Sequence, residues 1–159
     1  MPHSDTPDST ATSAARVGRD DLGFLLAKAT QLWNELLAER LAAHGYGDIR
    51  PSYGSVLLPL FEEDGLRMGE LADRARLSKQ TMTTMVRRLE RDGLVEARVD
   101  PSDARATRIY LTARSRRFEP VAAELLDELH RLVQRKLGAA GVARLKEALR
   151  DLIEPGPPH

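Results

Sequence analysis

Cysteine is absent from the 159 residues, and its absence excludes several functions. Without thiols the chain can form no disulfide, thiolate metal site or thiol-based redox sensor, and the composition suits a reducing cytoplasm. Long apolar runs are also missing: none approaches the ~20 residues that a membrane-spanning helix needs. Because the first 21 residues hold no apolar core of the signal-peptide kind, we expect a cytoplasmic protein with no membrane partner.

The chain also lacks net charge, because 24 basic residues balance 24 acidic ones. The two signs are distributed unevenly. Residues 1–66 hold 5 basic and 10 acidic side chains, residues 67–117 hold 13 and 7, and residues 118–159 hold 6 and 7. A middle segment of charge +6 between acidic or neutral flanks indicates one module that faces a polyanion.

Both ends of the chain outside this segment carry helical patterns. Residues 1–18 are Ser, Thr, Asp and Pro with hardly any large apolar side chain, which predicts a disordered tail. From Asp20 apolar residues recur every three or four positions, which predicts one long amphipathic helix that ends at Gly45.

A second helical region follows Thr112, which is a suitable N-cap. The spacing predicts a long helix, bent at Pro120 and closed at Gly138, and then a last helix over residues 139–153.

Three helices are expected after the first long one. The first runs from Pro51 to near Gly65, and two short helices in the basic middle, over residues 68–75 and 78–92, are joined by a tight turn. The last two form a helix-turn-helix. Arg76 stands in the turn, where its backbone is expected to be left-handed or the turn to be shifted.

After these helices the apolar period changes to two. Residues 94–99 and 107–112 both alternate, which predicts two half-buried strands. Residues 100–106 between them are rich in Asp, Pro and Ser, so we expect a hairpin with a protruding tip.

The helix over residues 78–92 has two contrasting faces. On a helical projection Met85, Val86 and Leu89 lie within about 60 degrees of Met82, and this face is expected to pack inward. The helix start and the other face carry hydrogen-bonding and cationic side chains, at Ser78, Lys79, Gln80, Thr81, Thr83, Thr84, Arg87, Arg88 and Arg91.

These residue types suit the major groove of double-stranded DNA. Gln can bond an adenine edge in two places, Arg can fork onto guanine, Thr can offer its methyl to thymine, and helix N-terminal amides attract phosphate. The alternative is a solvated face, in which Arg87, Arg88 and Arg91 pair with Glu90 and Asp92.

The hairpin adds a second candidate contact. Arg105 is expected to enter the adjacent minor groove, where narrow width and negative potential attract Arg. Asp103 is expected to hold Arg105 or its neighbour in place, and Arg108 to support the hairpin or touch phosphate. The alternative is a soluble turn with a surface ion pair that contributes almost nothing.

Other functional signals are weak. Trp33, His44, Tyr46 and Tyr53 cluster around the first two helices and could bind a small aromatic or anionic ligand, although such aromatics are more often core. The histidines are scattered and no nucleophile, phosphate-binding or metal motif appears, so we expect no enzyme, metal or cofactor.

The sequence "LADRARLSKQTMTTMVRRLERDGLVEARVDPSDARATRIYLT", residues 71–112, resembles the MarR family of winged-helix transcriptional regulators. The resemblance rests above all on D-x-R-x-x-R at Asp103, Arg105 and Arg108; in the family the first Arg enters the minor groove and the Asp steadies it. It implies a mainly α fold with a small β wing. A winged helix-turn-helix DNA-binding domain would span residues 51–112, and residues 19–47 and 113–155 would form a helical dimerisation region.

The resemblance further implies a homodimeric repressor of pseudo-palindromic operators, and small aromatic acids often release members of the family. We therefore expect double-stranded DNA, a second copy of the chain and a small phenolic or carboxylate effector as partners. A ligand-independent regulator and an architectural DNA-binding protein remain the alternatives.

Overall fold

The fold is described by a computed structural model that covers residues 16–154. Residues 1–15 of the expected tail and residues 155–159 lie outside the described residues. The helices and strands are α1 Leu22–Ala43, a 3₁₀ helix Pro51–Tyr53, α2 Gly54–Glu62, β1 Leu66–Arg67, α3 Met68–Ala75, α4 Lys79–Arg91, β2 Val95–Asp100, β3 Asp103–Leu111 and α5 Ala113–Ile153. This mainly helical chain with one small sheet confirms the predicted fold class.

The chain divides into two compact units between Leu32 and Trp33. The first unit contains the beginning of α1, where Asp21 Oδ2 accepts a hydrogen bond of 3.0 Å from the backbone N of Phe24. This side-chain cap sets the helix start at Leu22 rather than at Asp20. Most large apolar side chains of this unit are exposed, at Leu22, Phe24, Leu25, Leu26 and Leu32.

The second unit holds one hydrophobic core to which the short helices, the sheet and α5 contribute. Its fully buried members include Val56, Leu60, Leu71, Met82, Leu89, Ile109 and Leu125. Burying a side chain of this size contributes about 1.5–3 kcal/mol. The core therefore fixes the orientation of α3, α4 and the sheet.

The turn between α3 and α4 contains one strained residue. Arg76 has φ 57° and ψ 38°, which confirms the left-handed alternative expected there. Its backbone N bonds Asp73 O at 3.2 Å and the N of Leu77 bonds Ala72 O at 3.0 Å, so the end of α3 is closed by two capping bonds. These bonds offset the cost of about 1–2 kcal/mol for a left-handed L-residue.

The sheet has three strands rather than the two predicted, in the order β1-β3-β2. Strand β1 pairs antiparallel with β3, with Leu66 opposite Ile109 and Arg67 opposite Arg108. A two-residue strand shows no alternation in sequence, and it exists here because β3 supplies its partner. The sequence pattern therefore missed it.

Two predicted boundaries were wrong. Helix α2 ends at Glu62 and not near Gly65, because the chain must turn before it enters β1. The hairpin turn is also shorter than expected: Asp100 pairs with Asp103, and residues 103–106 belong to β3. The Asp100 carboxylate accepts a bond of 2.9 Å from Ser102 N, and this side-chain turn closes the hairpin over two residues.

Helix α5 consists of two helical segments. It continues through Pro120 and is interrupted at Gly138, whose φ of 74° and ψ of 163° are not helical. The interruption confirms the helix end predicted there. Large apolar side chains remain exposed in this part of α5, at Leu137, Leu145, Leu152 and Ile153.

Candidate nucleic-acid interface

Helix α4 divides its side chains between a buried and an exposed face. Met82, Val86 and Leu89 are at most 1% exposed, as the spacing predicted. Because this face is fixed in the core, the opposite face must point to solvent. The exposed residues of α4 on that side are Lys79, Gln80, Thr81, Thr84, Arg87, Arg88 and Arg91, and Thr83 is half-buried.

The beginning of α4 is capped by Ser78, as predicted. Ser78 Oγ accepts a hydrogen bond of 3.1 Å from the backbone N of Thr81 and donates one of 2.9 Å to Thr81 Oγ1. The amides of Lys79 and Gln80 in the same turn have no acceptor within the helix, since the first N–H groups of any helix lack one. Such amides can bind an anion.

The two adjacent threonines bond within the helix. Thr83 Oγ1 donates to Lys79 O at 2.8 Å, and Thr84 Oγ1 donates to Gln80 O at 3.2 Å. Their hydroxyl protons are thereby engaged. An external partner can use only the methyl groups and the oxygen lone pairs, which suits a thymine methyl better than a phosphate oxygen.

The arginines of α4 form no ion pair with any carboxylate of the described residues. Within residues 16–154 no salt bridge involves Arg87, Arg88 or Arg91. The pairing with Glu90 and Asp92 that a solvated face would require is therefore not formed. Three exposed arginines therefore project from α4 without a salt bridge to any of the described residues.

The end of α4 is held by contacts that the sequence did not reveal. Tyr53 Oη donates a hydrogen bond of 2.5 Å to Asp92 Oδ2, and Arg114 Nη1 donates one of 2.7 Å to Asp92 O. Burial, followed by the bond to Asp92, raises the pKa of Tyr53. Tyr53 therefore stays protonated and positions the end of α4.

The wing, which we define as residues 95–111, is held beside its turn by Asp100. This side chain is 3% exposed, and its Oδ2 accepts bonds of 2.9 Å from Arg67 Nε and from Arg108 Nε. Its Oδ1 accepts bonds from the N and Oγ of Ser102, at 2.9 and 2.8 Å. One buried carboxylate thus joins β1, β2, β3 and the hairpin turn.

These bonds keep Asp100 ionised. The backbone N–H and the hydroxyl of Ser102, together with Arg108 and Arg67, hold the pKa of Asp100 well below its usual range against the opposing effect of burial. Neither Asp100 nor Arg67 was identified from the sequence. Asp100 belongs to residues 100–106, which are rich in turn-forming residues, and the sequence there gives no indication that its side chain is buried.

Arg108 has the first of the two roles expected for it. In addition to the bond with Asp100, its Nη1 donates to Gly65 O at 2.9 Å, so it supports the wing. Gly65 itself is required by its surroundings: its φ is 72°, and a Cβ there would lie 2.8 Å from Cε1 of Tyr110. Arg98 stacks on the same ring, with its guanidinium carbon 4.6 Å from the Tyr110 ring centroid.

Arg105 lies at the start of β3, exposed and without an ion pair among the described residues. Asp103 Oδ1 accepts a hydrogen bond of 3.0 Å from the backbone N of Arg105. Asp103 thus constrains the main chain at Arg105, and the guanidinium remains available to an external partner. Their roles towards DNA stay predictions.

The candidate ligand residues differ in their exposure and contacts. Tyr53 is buried, Tyr46 packs on Phe118 with ring centroids 4.8 Å apart, Trp33 is half-buried and His44 is exposed. None of the four lines the apolar cavity of the second unit, which is about 90 Å³ in volume. That cavity is lined by Leu37, Leu41, Ile49, Arg50, Pro51, Gly54, Leu57, Leu58, Phe61, Phe118, Ala122, Leu125 and Leu126.

Two negative findings apply to residues 16–154. No three histidine, aspartate or glutamate side chains converge in a way that could hold a metal ion. No helix there has both the length and the apolar character needed to cross a membrane.

The helix-turn-helix, the three-stranded sheet and the exposed face of α4 define a winged helix-turn-helix protein. Residues 50–107 match the model of the MarR family. Over 109 residues the chain is 34% identical to the HTH-type transcriptional regulator TtmR of Methylorubrum extorquens. The aligned residues cover 64% of this chain and 54% of that protein. The chain spans about half the length of the curated relatives it matches.

Solved structures agree in fold. A probable transcriptional regulator from Pseudomonas aeruginosa is 25% identical with a TM-score of 0.75, over 84% of this chain and 98% of that one. A mutant MarR from E. coli, complexed with operator DNA, is 26% identical with a TM-score of 0.73, over 84% and 94%. Residues 50–107 thus match the MarR family, as the sequence resemblance indicated, and the fold of the chain is that of MarR-family structures.

Proposed function

We propose that this protein is a sequence-specific DNA-binding transcriptional regulator, a homodimeric repressor of a pseudo-palindromic operator. The observation that carries the proposal is the unneutralised face of α4 beside a rigid wing. Met82, Val86 and Leu89 hold the helix in the core, while Gln80 and Arg87 on the other face offer the hydrogen bonds that base edges require.

The wing supports the same assignment. Because Asp100 fixes the turn end of the hairpin, Arg105 is presented on a constrained strand rather than on a mobile loop. A cation in that place suits the narrow minor groove beside the major groove that α4 would occupy. The complex of the similar E. coli MarR with operator DNA agrees with this proposal.

Dimerisation is proposed from the exposed apolar side chains. They occur in the first half of α1, as at Leu25 and Leu32, and near the end of α5, as at Leu152 and Ile153. A helical surface of this composition gains about 25 cal/mol for each Å² of apolar area buried against a second copy. A twofold dimer would place its recognition helices on half-sites about 10 bp apart or a multiple of that spacing.

Binding to a selected duplex tests the proposal. Sequences are selected from a random duplex pool, and affinity is measured by fluorescence anisotropy for the selected duplex and for a scrambled one. We expect two half-sites in inverted orientation, tighter binding to the selected duplex, and affinity that falls steeply with salt. Equal affinity for both duplexes would favour the architectural alternative. Transcription in vitro from a promoter with the selected site then separates repression from activation.

A small phenolic or carboxylate effector is proposed to release the protein from DNA. The apolar cavity with Arg50 at its edge suits an aromatic acid in chemistry, but its volume of about 90 Å³ is below that of a typical ligand site, ~300 Å³ or more. The volume favours the ligand-independent alternative. Titrating salicylate into the protein–DNA complex distinguishes them: release with a thermal shift supports an effector, and no response supports regulation without one.

A further inference from the structure

A surface cleft lies between the loop before the 3₁₀ helix and the end of α4. It is lined by Gly47, Asp48, Arg50, Tyr53, Arg88, Arg91 and Asp92. Three of these seven residues are arginines, and they come from two separate elements. Arg50 belongs to neither the helix-turn-helix nor the wing.

The two acids of this cleft are engaged with other partners. Asp48 Oδ2 accepts a hydrogen bond of 2.5 Å from Arg114, and Asp92 Oδ2 accepts the bond from Tyr53. No salt bridge joins Arg50, Arg88 or Arg91 to an acid anywhere in residues 16–154. The positive charge of the cleft is therefore left for an external anion.

Arg50 is presented by an ordered backbone. Its φ of −88° and ψ of 145° are the extended values that a following proline imposes, and Pro51 follows it. Ile49 before it is buried at 4% exposure, and the carbonyl of Arg50 accepts a bond of 3.0 Å from Tyr53 N. The start of the Arg50 side chain is thus fixed relative to the 3₁₀ helix.

The electrostatics of Tyr53 indicate that the charges act together. Burial and Asp92 raise the pKa of Tyr53, while Arg50 and Arg88 both oppose that rise. The two guanidinium groups from different elements therefore act on the same hydroxyl at the wall of the cleft.

We propose that Arg50, Arg88 and Arg91 form a phosphate seat, in which a backbone phosphate of bound DNA lies against the end of α4. The inference rests on the proposed function and adds a contact from the loop before the 3₁₀ helix. Planar guanidinium groups match phosphate oxygens in pairs, and several of them around one cleft select an oxyanion over an uncharged polar group. The contact positions the protein on the duplex and carries no sequence information.

The salt dependence of DNA binding tests the seat. Affinity of the wild type and of Arg50→Gln for one selected duplex is measured by anisotropy from low to moderate salt. The slope of log affinity against log salt should become shallower by ~0.9 in the variant for each phosphate that is no longer neutralised. The affinity should fall equally for the selected and the scrambled duplex, because a phosphate is common to both.

Two further variants serve as controls. Arg135→Gln removes the same charge from an exposed position on α5 and should leave the slope unchanged. Arg50→Lys keeps the charge but lacks the planar guanidinium group that donates paired hydrogen bonds. This variant should retain the wild-type slope and bind with weaker affinity. Circular dichroism and the oligomeric state of each variant show that the fold is intact.

The outcomes separate the seat from the proposed function. A wild-type slope in Arg50→Gln, with DNA binding preserved, overturns the seat and leaves the regulator intact. A wild type that binds no duplex overturns both. Inorganic phosphate is titrated in parallel by calorimetry: binding that disappears in Arg50→Gln while the DNA slope stays unchanged assigns the cleft to free phosphate and overturns the assignment to DNA.

Discussion

The Oδ2 atom of Asp100 lies 2.9 Å from Nε of Arg108, and this pair connects the hairpin turn to the neighbouring strand. Asp100→Asn keeps an acceptor for Ser102 but removes the charge that attracts Arg67 and Arg108. We expect the wing to loosen and affinity for DNA to fall. Hydrogen exchange should show faster exchange of the Ile109 amide and of neighbouring β3 amides, with α5 unaffected. Unchanged exchange across β3 would contradict this role.

The same carboxylate predicts a dependence of stability on pH. Since the pKa of Asp100 is lowered in the folded protein, its contribution is fully present above the unfolded value of about 3.9 and is lost as pH falls towards the folded value. Urea unfolding of the wild type should therefore lose free energy below about pH 4. Asp100→Asn should show a smaller loss over the same range, and identical pH profiles would argue against the bonds described.

Arg105→Ala should weaken DNA binding without unfolding the protein. Its guanidinium is exposed and unpaired among the described residues, so the free energy of unfolding should change by less than about 0.5 kcal/mol. Affinity for the selected duplex should fall on the order of tenfold, as for loss of one Arg contact. Arg131→Ala, on the exposed face of α5, is the matched control. Unaltered affinity would show that the minor-groove assignment is wrong.

Leu89→Ala tests whether the core positions α4. Leu89 is 0% exposed, and replacing a buried Leu by Ala costs about 2–5 kcal/mol. Thermal unfolding should shift markedly for this variant. Thr84→Ala on the exposed face should change stability little and DNA affinity more, and a reversal of these two effects would show that the faces of α4 are assigned incorrectly.

Tyr53→Phe removes the hydroxyl that donates to Asp92 while it keeps the buried ring. A hydrogen bond to a charged group contributes about 1.5–3 kcal/mol, and we expect the lower end here because Asp92 is half-buried and Arg114 also holds its residue. Urea unfolding measures the loss. Wild-type stability in Tyr53→Phe would mean that Arg114 alone secures the end of α4.

The proposed dimer is tested at the end of α5. Leu152→Glu places a charge at an exposed apolar position near the end of α5 and should shift the protein towards monomer in sedimentation velocity experiments. Val99→Glu is the matched control, because Val99 is a similarly exposed apolar residue on the wing. A wild type that is monomeric at micromolar concentration would contradict the dimer directly.

Much of the fold could be predicted because its elements are periodic. The faces of α4, the cap at Ser78 and the helix break at Gly138 each follow from local spacing or local chemistry. Strand β1 could not be predicted, because two residues carry no period and their pairing with β3 depends on tertiary structure. The left-handed Arg76 was predictable as a conflict between residue type and turn position.

The candidate site was predicted less completely, and for a related physical reason. Exposed cations such as Arg87 and Arg105 can be recognised from residue type and spacing. The supporting groups cannot, since Asp100, Arg67 and Tyr53 act through contacts with residues 8 to 39 positions away. Arg50 escaped notice because it stands alone in an acidic segment and becomes part of a basic cleft only in the folded chain.

The arginines of α4, which form no salt bridge among the described residues, destabilise the unbound protein. Arg91 follows Arg87 by four positions and Arg88 by three, and like charges at such spacings repel by roughly 0.2–0.5 kcal/mol per pair. A bound polyanion relieves this repulsion, and because it binds only the folded protein it also raises the free energy of unfolding. Resistance to heat and to proteolysis should therefore rise with the fraction of the protein that is bound to nucleic acid. Unbound molecules should be degraded first.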